Sequence, residues 1–184
     1  MKKSVIRICI TVASLLVFAM LAFFYFPVLL PGNYENAECI GYIAVPKGYE
    51  RVCGNDKEYT EFLRSIPLKP KGAKVMLYGS NETAKFGNLN KYAVIDLPLL
   101  SNAEQCADAC MRLRAEYLFR HGKYAKIHFA NNAGLDFFYL GGRNRKAFES
   151  YMKRVYGFAN TASLTKELPT RALKDVQPGD ILVY

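Results

Sequence analysis

The chain has 184 residues, of which 51% are hydrophobic and 22% are charged. This composition excludes a disordered or low-complexity protein, and the length allows one membrane element and one domain of ordinary size. The formal charge of +9 includes three basic residues among the first seven, and the other basic residues are spread along the chain without a block. That spread is typical of a solvated surface, so a nucleic-acid partner is not expected.

The first 30 residues have the pattern of a signal anchor. Two lysines and an arginine precede an almost unbroken apolar run over residues 8–30, and about 20 apolar residues cross a bilayer as a helix. A cleaved signal has a shorter apolar region and small residues at its end, whereas this run ends in bulky ones. The sequence therefore predicts a cytoplasmic tail (1–7), a single inner-membrane span (8–30) and an exported domain (31–184). The alternative is a secreted or periplasmic protein formed after signal cleavage.

The first part of the exported domain is predicted to contain strands and one short helix. Residues 38–45 alternate in hydropathy as a strand does. Asn55 or Asp56 can cap a helix that ends before Pro67. Two apolar runs, 75–78 and 92–97, predict further strands.

Cys39 and Cys53 also lie in this part of the chain. Disulfides persist outside the cytoplasm, and closing a loop of about 15 residues stabilises a fold by roughly 3 kcal/mol in the chain-entropy model. A disulfide between these two cysteines and a pair of free thiols both remain open from the sequence.

The clearest helix is predicted over residues 101–122. Ser101 and Glu104 match a capping box at its start, and Gly122 can end it in a left-handed conformation. Apolar residues recur at spacings of three and four, which indicates a helix with a buried face. The members of this predicted stripe are Ala103, Cys106, Ala107, Cys110, Leu113 and Tyr117.

Charged residues on the same helix form a candidate polar cluster that lines a groove. They are Arg112, Arg114 and Glu116, and Asp180 is a further candidate member. A simpler interpretation makes Arg112 and Glu116 a surface pair, four residues apart, that contributes a few tenths of a kcal/mol. In the same interpretation Asp180 only stabilises its own turn.

The second half of the domain is predicted to contain two strands, two helices and a last strand. The strands cover 126–130 and 135–140 and are joined by a turn. A helix around residues 148–155 is predicted to end at Gly157, and a shorter one covers 161–168. A turn at 178–180 leads into an apolar strand over 181–184. Mixed strands and helices without a regular alternation predict an α+β fold, with a mixed sheet packed on the central helix.

Six stretches carry a resemblance to a known family. They are VPKGYERV (45–52), FLRSIPLKPKG (62–72), VMLYGS (75–80), QCADACMRLRAEYL (105–118), YGFANTASLTKEL (156–168) and VQPGDILVY (176–184). Together they resemble an uncharacterised bacterial cell-envelope family that is labelled only as domain of unknown function 4846. QCADA and RLRAEY are the most specific part. The resemblance implies that members continue into a Gly-His-Ala strand, so this chain is expected to be incomplete at its C-terminus and to lack activity in this form.

A looser similarity is to papain-like cell-wall peptidases and amidases. In those proteins a cysteine at the start of a helix is followed by a distant Pro-Gly-Asp turn, and Cys106 and residues 178–180 occur in that order. A helix N-terminus and an imidazole favour the thiolate, which is the form that attacks an amide. The similarity implies a truncated papain-like fold, with Cys106 as nucleophile and His128 as the candidate base. His121 more simply complements the C-terminal end of the helix dipole.

Two hypotheses for the function follow. The first is a membrane-anchored, exported member of the envelope family without activity in this form, and the second is a cysteine hydrolase that acts on cell-wall peptides or related amides. The expected partners are the inner membrane, through residues 8–30, and a cell-wall polymer or peptide. No cofactor is predicted, and no metal site either, because the cysteines and the two histidines lack ligand spacing.

Overall fold

The computed structural model describes residues 37–84 and 93–183. The predicted cytoplasmic tail and membrane anchor lie outside these residues. Within the two described ranges, no helix is both long enough and apolar enough to cross a bilayer.

The described part of the chain is an α+β structure, as predicted. Its helices are α1 (Lys57–Arg64), α2 (Cys106–Arg120), α3 (Arg145–Phe158) and α4 (Thr161–Glu167). Its strands are β1 (His128–Ala130) and β2 (Asp136–Phe138). Short 3-10 helices lie at Ile40–Tyr42, Tyr124–Lys126 and Leu173–Asp175.

The sheet is smaller than predicted. β1 and β2 form an antiparallel pair with Phe129 opposite Phe137, and α4 packs against β1. The predicted strands at 38–45, 75–78 and 92–97 are wrong, because the described residues of these runs make only isolated bridges. Prolines 67, 70 and 98 flank two of the bridged segments, and a residue without an N–H cannot extend a ladder. Residues 181–183 do not form the predicted last strand either.

Side-chain caps fix where three helices begin. Asp56 caps α1, since its Oδ1 accepts a hydrogen bond from the Tyr59 N–H at 3.0 Å. Asn144 and Asn160 cap α3 and α4 in the same way, because a side-chain oxygen satisfies an N–H that has no partner within the helix. Gly157 does not end α3 as predicted: it lies inside the helix, whose last residue is Phe158.

Helix α2 begins five residues later than predicted. Ser101 and Glu104 do not cap it, because the Ser101 Oγ accepts from the Ala103 N–H and the Glu104 Oε2 accepts from the Leu100 N–H, which holds a separate turn. Gln105 is the cap residue, and the carboxylate of Asp108 accepts its N–H at 2.9 Å. Cys106 is therefore the first residue of the helix.

The core lies between α2, α3, the sheet and α1, and it is rich in aromatic rings. The predicted stripe of α2 is confirmed in part: Tyr117 is buried, and the half-buried Ala107 and Leu113 pack against the core. Ala103 and Cys106 are exposed, and Cys110 is half-buried. The buried face of α2 is rotated from that stripe, so that it includes three charged residues, one basic and two acidic. The buried residues of α2 are Asp108, Met111, Arg112, Ala115, Glu116, Tyr117 and Leu118.

Candidate functional site

A buried ionic network joins α2 to α3. The Glu116 carboxylate is 1% exposed and accepts two hydrogen bonds from the Arg145 guanidinium, at 2.7 and 2.8 Å. Arg112, also buried, donates to Glu116 from Nε at 2.8 Å, and its Nη1 lies 3.6 Å from Glu104 Oε2. The predicted surface pair of Arg112 and Glu116 is therefore wrong, because the two side chains neutralise each other inside the fold.

The network keeps Glu116 ionised. Burial disfavours the charged carboxylate, but the hydrogen bonds from Arg145 and Arg112 outweigh it and lower the pKa of Glu116. A bidentate arginine–carboxylate pair is the strongest ionic contact that side chains make. The carboxylate accepts three hydrogen bonds, all from arginines of the same chain, which indicates a structural role.

The other members of the predicted polar cluster lie elsewhere. Arg114 is on the outer side of α2, where its guanidinium covers the Tyr59 ring at 4.6 Å and the Tyr117 ring at 5.1 Å. Asp180 accepts from the Gln177 N–H at 3.0 Å and pairs with Arg171 at 3.1 Å. The structure therefore joins Arg112 to Glu116 but places neither Arg114 nor Asp180 with them.

A cleft of about 190 Å³ lies at the N-terminal end of α2. One wall is the first turn of the helix, from Gln105 to Asp108, and the opposite wall is the junction between α3 and α4. Cys106 is exposed in this cleft. The lining residues are Ala103, Gln105, Cys106, Ala107, Asp108, Tyr156, Ala159, Asn160 and Thr161.

Two buried side chains in the lining have polar atoms without partners. Within the described chain, neither Asp108 Oδ1 nor the Tyr156 hydroxyl makes a hydrogen bond, although the residues are only 5% and 7% exposed. The Arg112 guanidinium, whose Nη1 also makes no hydrogen bond of regular geometry, lies close enough to act as a hydrogen-bond donor toward the Tyr156 hydroxyl. Burial raises the pKa of Asp108 and of Tyr156. A buried polar atom left unsatisfied costs about 1–3 kcal/mol, so these atoms call for an explanation.

Both histidines are engaged away from Cys106. His121 follows the last residue of α2, packs on the Tyr117 ring with 4.5 Å between centroids, and has its Nδ1 2.7 Å from the Tyr117 carbonyl oxygen. His128 lies on β1, where its Nδ1 is 3.6 Å from Glu167 and its ring contacts the Phe138 ring in a tilted arrangement. Among the described residues, neither imidazole lines the cleft that exposes Cys106.

The other cysteines within the described residues are free thiols. Cys39 is half-buried, in a bridge with Pro67, and Cys53 is exposed in the loop before α1. Of the two alternatives for Cys39 and Cys53, the structure has the pair of free thiols and not the disulfide. No group of three potential metal ligands occurs within residues 37–84 and 93–183.

The sequence did not point to Asp108 and Tyr156 as site residues. Asp108 stands three residues after Gln105, which is the spacing of a cap pair and a signal that was available. Tyr156 carries no local signal, because it reaches the cleft only through the packing of α3 against α2.

Comparison with known protein families matches part of the chain. The family model described as "Domain of unknown function (4846)" matches residues 41–141. The matched segment includes Cys106, Asp108 and Glu116 but ends before Arg145 and Tyr156. No curated protein and no solved structure matches the chain.

Proposed function

This chain belongs to the family defined by domain of unknown function 4846, and from that premise we propose that it is a membrane-anchored domain of the bacterial cell envelope that binds a ligand outside the cytoplasmic membrane. The apolar run over residues 8–30, with basic residues before it, supports the anchor. The cleft beside Cys106 supports the binding role. Binding is favoured over hydrolysis because both described imidazoles are engaged with other groups.

The anchor is tested by topology. We expect the full chain, tagged at its C-terminus, to remain in the membrane fraction and to lose its tag when protease is added to spheroplasts. A chain that starts at residue 31 is the matched control, and its tag should be soluble and protected inside the cell. A full-length chain whose tag survives protease in spheroplasts would contradict the proposed orientation.

A second candidate function is cysteine hydrolysis with Cys106 as nucleophile. The observation that favours it is the position of Cys106, which is exposed in the cleft as the first residue of α2. Thiolates are favoured at helix N-termini in general, and the dipole acts most strongly in the first turn. The late start of α2 therefore favours this hypothesis more than the predicted start at Ser101 did.

Alkylation rates separate the two functions. If the domain only binds, Cys106 should react at a rate comparable to that of Cys53, an exposed thiol of the same chain. A hydrolase would give a Cys106 rate that is already high at neutral pH, up to about thirtyfold above an ordinary thiol, of which only about 3% is ionised at pH 7. Peptide mass spectrometry resolves the two sites, and Cys106→Ser identifies the signal.

A further inference from the structure

An exposed apolar loop follows the first 3-10 helix of the described chain. Every residue from 44 to 53 is exposed, and Val45, Tyr49 and Val52 are large hydrophobic residues among them. Tyr42, the last residue of the 3-10 helix, is also 70% exposed. Single exposed apolar residues are ordinary on a protein surface, but a group of them on one short segment marks an interaction site.

The fold holds this loop in a defined shape. At its tip the Tyr49 N–H donates to the Pro46 carbonyl oxygen at 3.0 Å, and Gly48 allows the turn because its φ is 87°. At its base the Arg64 guanidinium, from α1, donates to the Val52 carbonyl oxygen at 2.5 Å. The loop therefore loses little conformational freedom when its side chains become buried in a partner.

The loop is also close to the proposed membrane anchor. The proposed span ends at residue 30, so even a fully extended connection keeps Ala37 within about 25 Å of it. Tyr42 is at most about 15 Å further on, because residues 40–42 form a 3-10 helix with a short rise per residue. The headgroup layer itself extends roughly 5–7 Å beyond the hydrocarbon core. The exposed segment is therefore within reach of the bilayer surface.

The side chains of the loop suit a lipid headgroup layer. Tyrosine rings have an apolar body and a polar hydroxyl, and they are enriched at the depth of the headgroups. Tyr42 and Tyr49 supply two such rings, and Val45 adds apolar surface beside the turn. Lys47 stands at the tip of the same turn and is exposed, so its ammonium group favours an anionic surface.

We propose that residues 44–53, together with Tyr42, dock into the headgroup layer of the membrane that carries the anchor, on its outer leaflet. The tyrosine rings and valine side chains become buried in that layer, and Lys47 pairs with anionic headgroups. A weak contact is sufficient, because the anchor keeps the loop at a high effective concentration near the bilayer. The inference rests on the proposed anchor, and it adds that the domain has a fixed orientation on the membrane.

A single introduced tryptophan tests the contact, because the chain has none. The full chain with Tyr42→Trp is reconstituted in vesicles of phosphatidylcholine and phosphatidylglycerol, with or without bromine on the acyl chains. We expect its emission to lie at shorter wavelength than that of tryptophan in water and to be quenched by the brominated lipid. Tyr49→Trp should behave in the same way.

Leu140→Trp is the matched control. Leu140 is 92% exposed and lies between β2 and α3, outside the proposed contact. Its tryptophan should keep the emission of a water-exposed ring and should not be quenched by the brominated lipid. Equal quenching at positions 42 and 140 would show that the domain has no preferred face toward the bilayer, and would overturn the proposal.

Lys47→Ala in the Tyr42→Trp chain tests the charge. One basic residue near an anionic surface favours the docked state about fivefold. The ratio of quenched to unquenched tryptophan should therefore fall by about that factor in vesicles with phosphatidylglycerol and stay the same in pure phosphatidylcholine. An equal change in both lipids would overturn the pairing of Lys47 with anionic headgroups.

Flotation of the vesicles separates failure of this inference from failure of the proposed anchor. If the chain floats with the vesicles but the tryptophan at position 42 is not quenched, the docked loop is refuted and the anchor stands. Emission at short wavelength without quenching would place a second copy of the chain against the loop, which also refutes docking to lipid. A chain that does not float would refute the anchor and, with it, this inference.

Discussion

Replacement of Glu116 by Ala is expected to lower the free energy of unfolding by about 3–5 kcal/mol, because it leaves a buried arginine without its partner. Arg112 is 1% exposed, and its closest remaining carboxylate would be Glu104, at 3.6 Å from Nη1. For a chain of this size, each kcal/mol shifts Tm by about 2–4 °C, so Tm should fall by roughly 10 °C. Urea denaturation of the full chain in detergent, followed by the near-ultraviolet circular dichroism of tyrosine, measures the change.

Glu149→Ala is the matched control for this effect. Glu149 also pairs with Arg145, through Nε at 2.9 Å, but this contact is a half-exposed pair four residues apart on one helix. Such pairs contribute about 0.3–0.5 kcal/mol, and solvent screens them further. If the two variants lost equal stability, the buried network would not be the source of the Glu116 effect.

The contribution of Glu116 should also depend on pH. Its pKa is lowered in the folded state from an ordinary value of 4.5, since the hydrogen bonds from Arg145 and Arg112 outweigh the opposing effect of burial. A carboxyl group with a lowered folded-state pKa stabilises the fold above its unfolded pKa, and that stabilisation is lost as the pH falls through the folded pKa. The difference between wild type and Glu116→Ala should therefore shrink on acidification below about pH 4.5. An unchanged difference at low pH would argue against the ionic origin.

Gly141→Ala is expected to destabilise the fold by roughly 3 kcal/mol, because the new methyl group has no room. An added Cβ would lie 2.6 Å from the Tyr139 hydroxyl and 2.7 Å from the Ala147 Cβ. The Tyr139 hydroxyl donates toward the carbonyl oxygens of Gly142 and Asn144, both at 2.9 Å, which holds the loop before α3. Displacement of that ring would break this contact as well as the packing.

Gly157→Ala provides a control of opposite sign. Gly157 lies inside α3, and a Cβ at this position would meet nothing within 4 Å. Alanine is the better helix former, so this variant should gain about 0.5–1 kcal/mol. Both variants are compared by urea denaturation, and a loss of stability in both would mean that close approach at residue 141 is not the cause.

The sequence predicted the elements whose signals are local. Asp56 caps a helix where expected, Gly122 follows α2 in a left-handed conformation, and the turn at 131–134 joins two strands. These features depend on a few adjacent residues, so no knowledge of the fold was needed. The predicted end of α3 at Gly157 was wrong. The helix continues to Phe158, because burial of its apolar face outweighs the low helix propensity of glycine.

The interior of α2 could not be predicted in the same way. Apolar spacing placed Cys106 and Cys110 inside and treated Arg112 and Glu116 as a surface pair. In the structure, Arg112 and Glu116 are buried and Cys106 is exposed. This arrangement is stable because Arg145, about 30 residues downstream, completes the neutralisation of Glu116. A partner that arrives by tertiary packing leaves no periodic signal. Tyr156 could not be predicted for the same reason, because it reaches the cleft wall from α3 by tertiary packing.

The link between Glu116 and Arg145 has a consequence for how the polypeptide can be divided. The matched segment stops at residue 141, before Arg145 and before Phe148, Met152 and Val155, whose side chains have no solvent exposure. A fragment that ends at residue 141 would leave the Glu116 carboxylate without Arg145. It would also expose the part of the core that α3 covers in the full chain. Folding must therefore wait until α3 has been synthesised, and a fragment produced with the matched boundaries alone should aggregate.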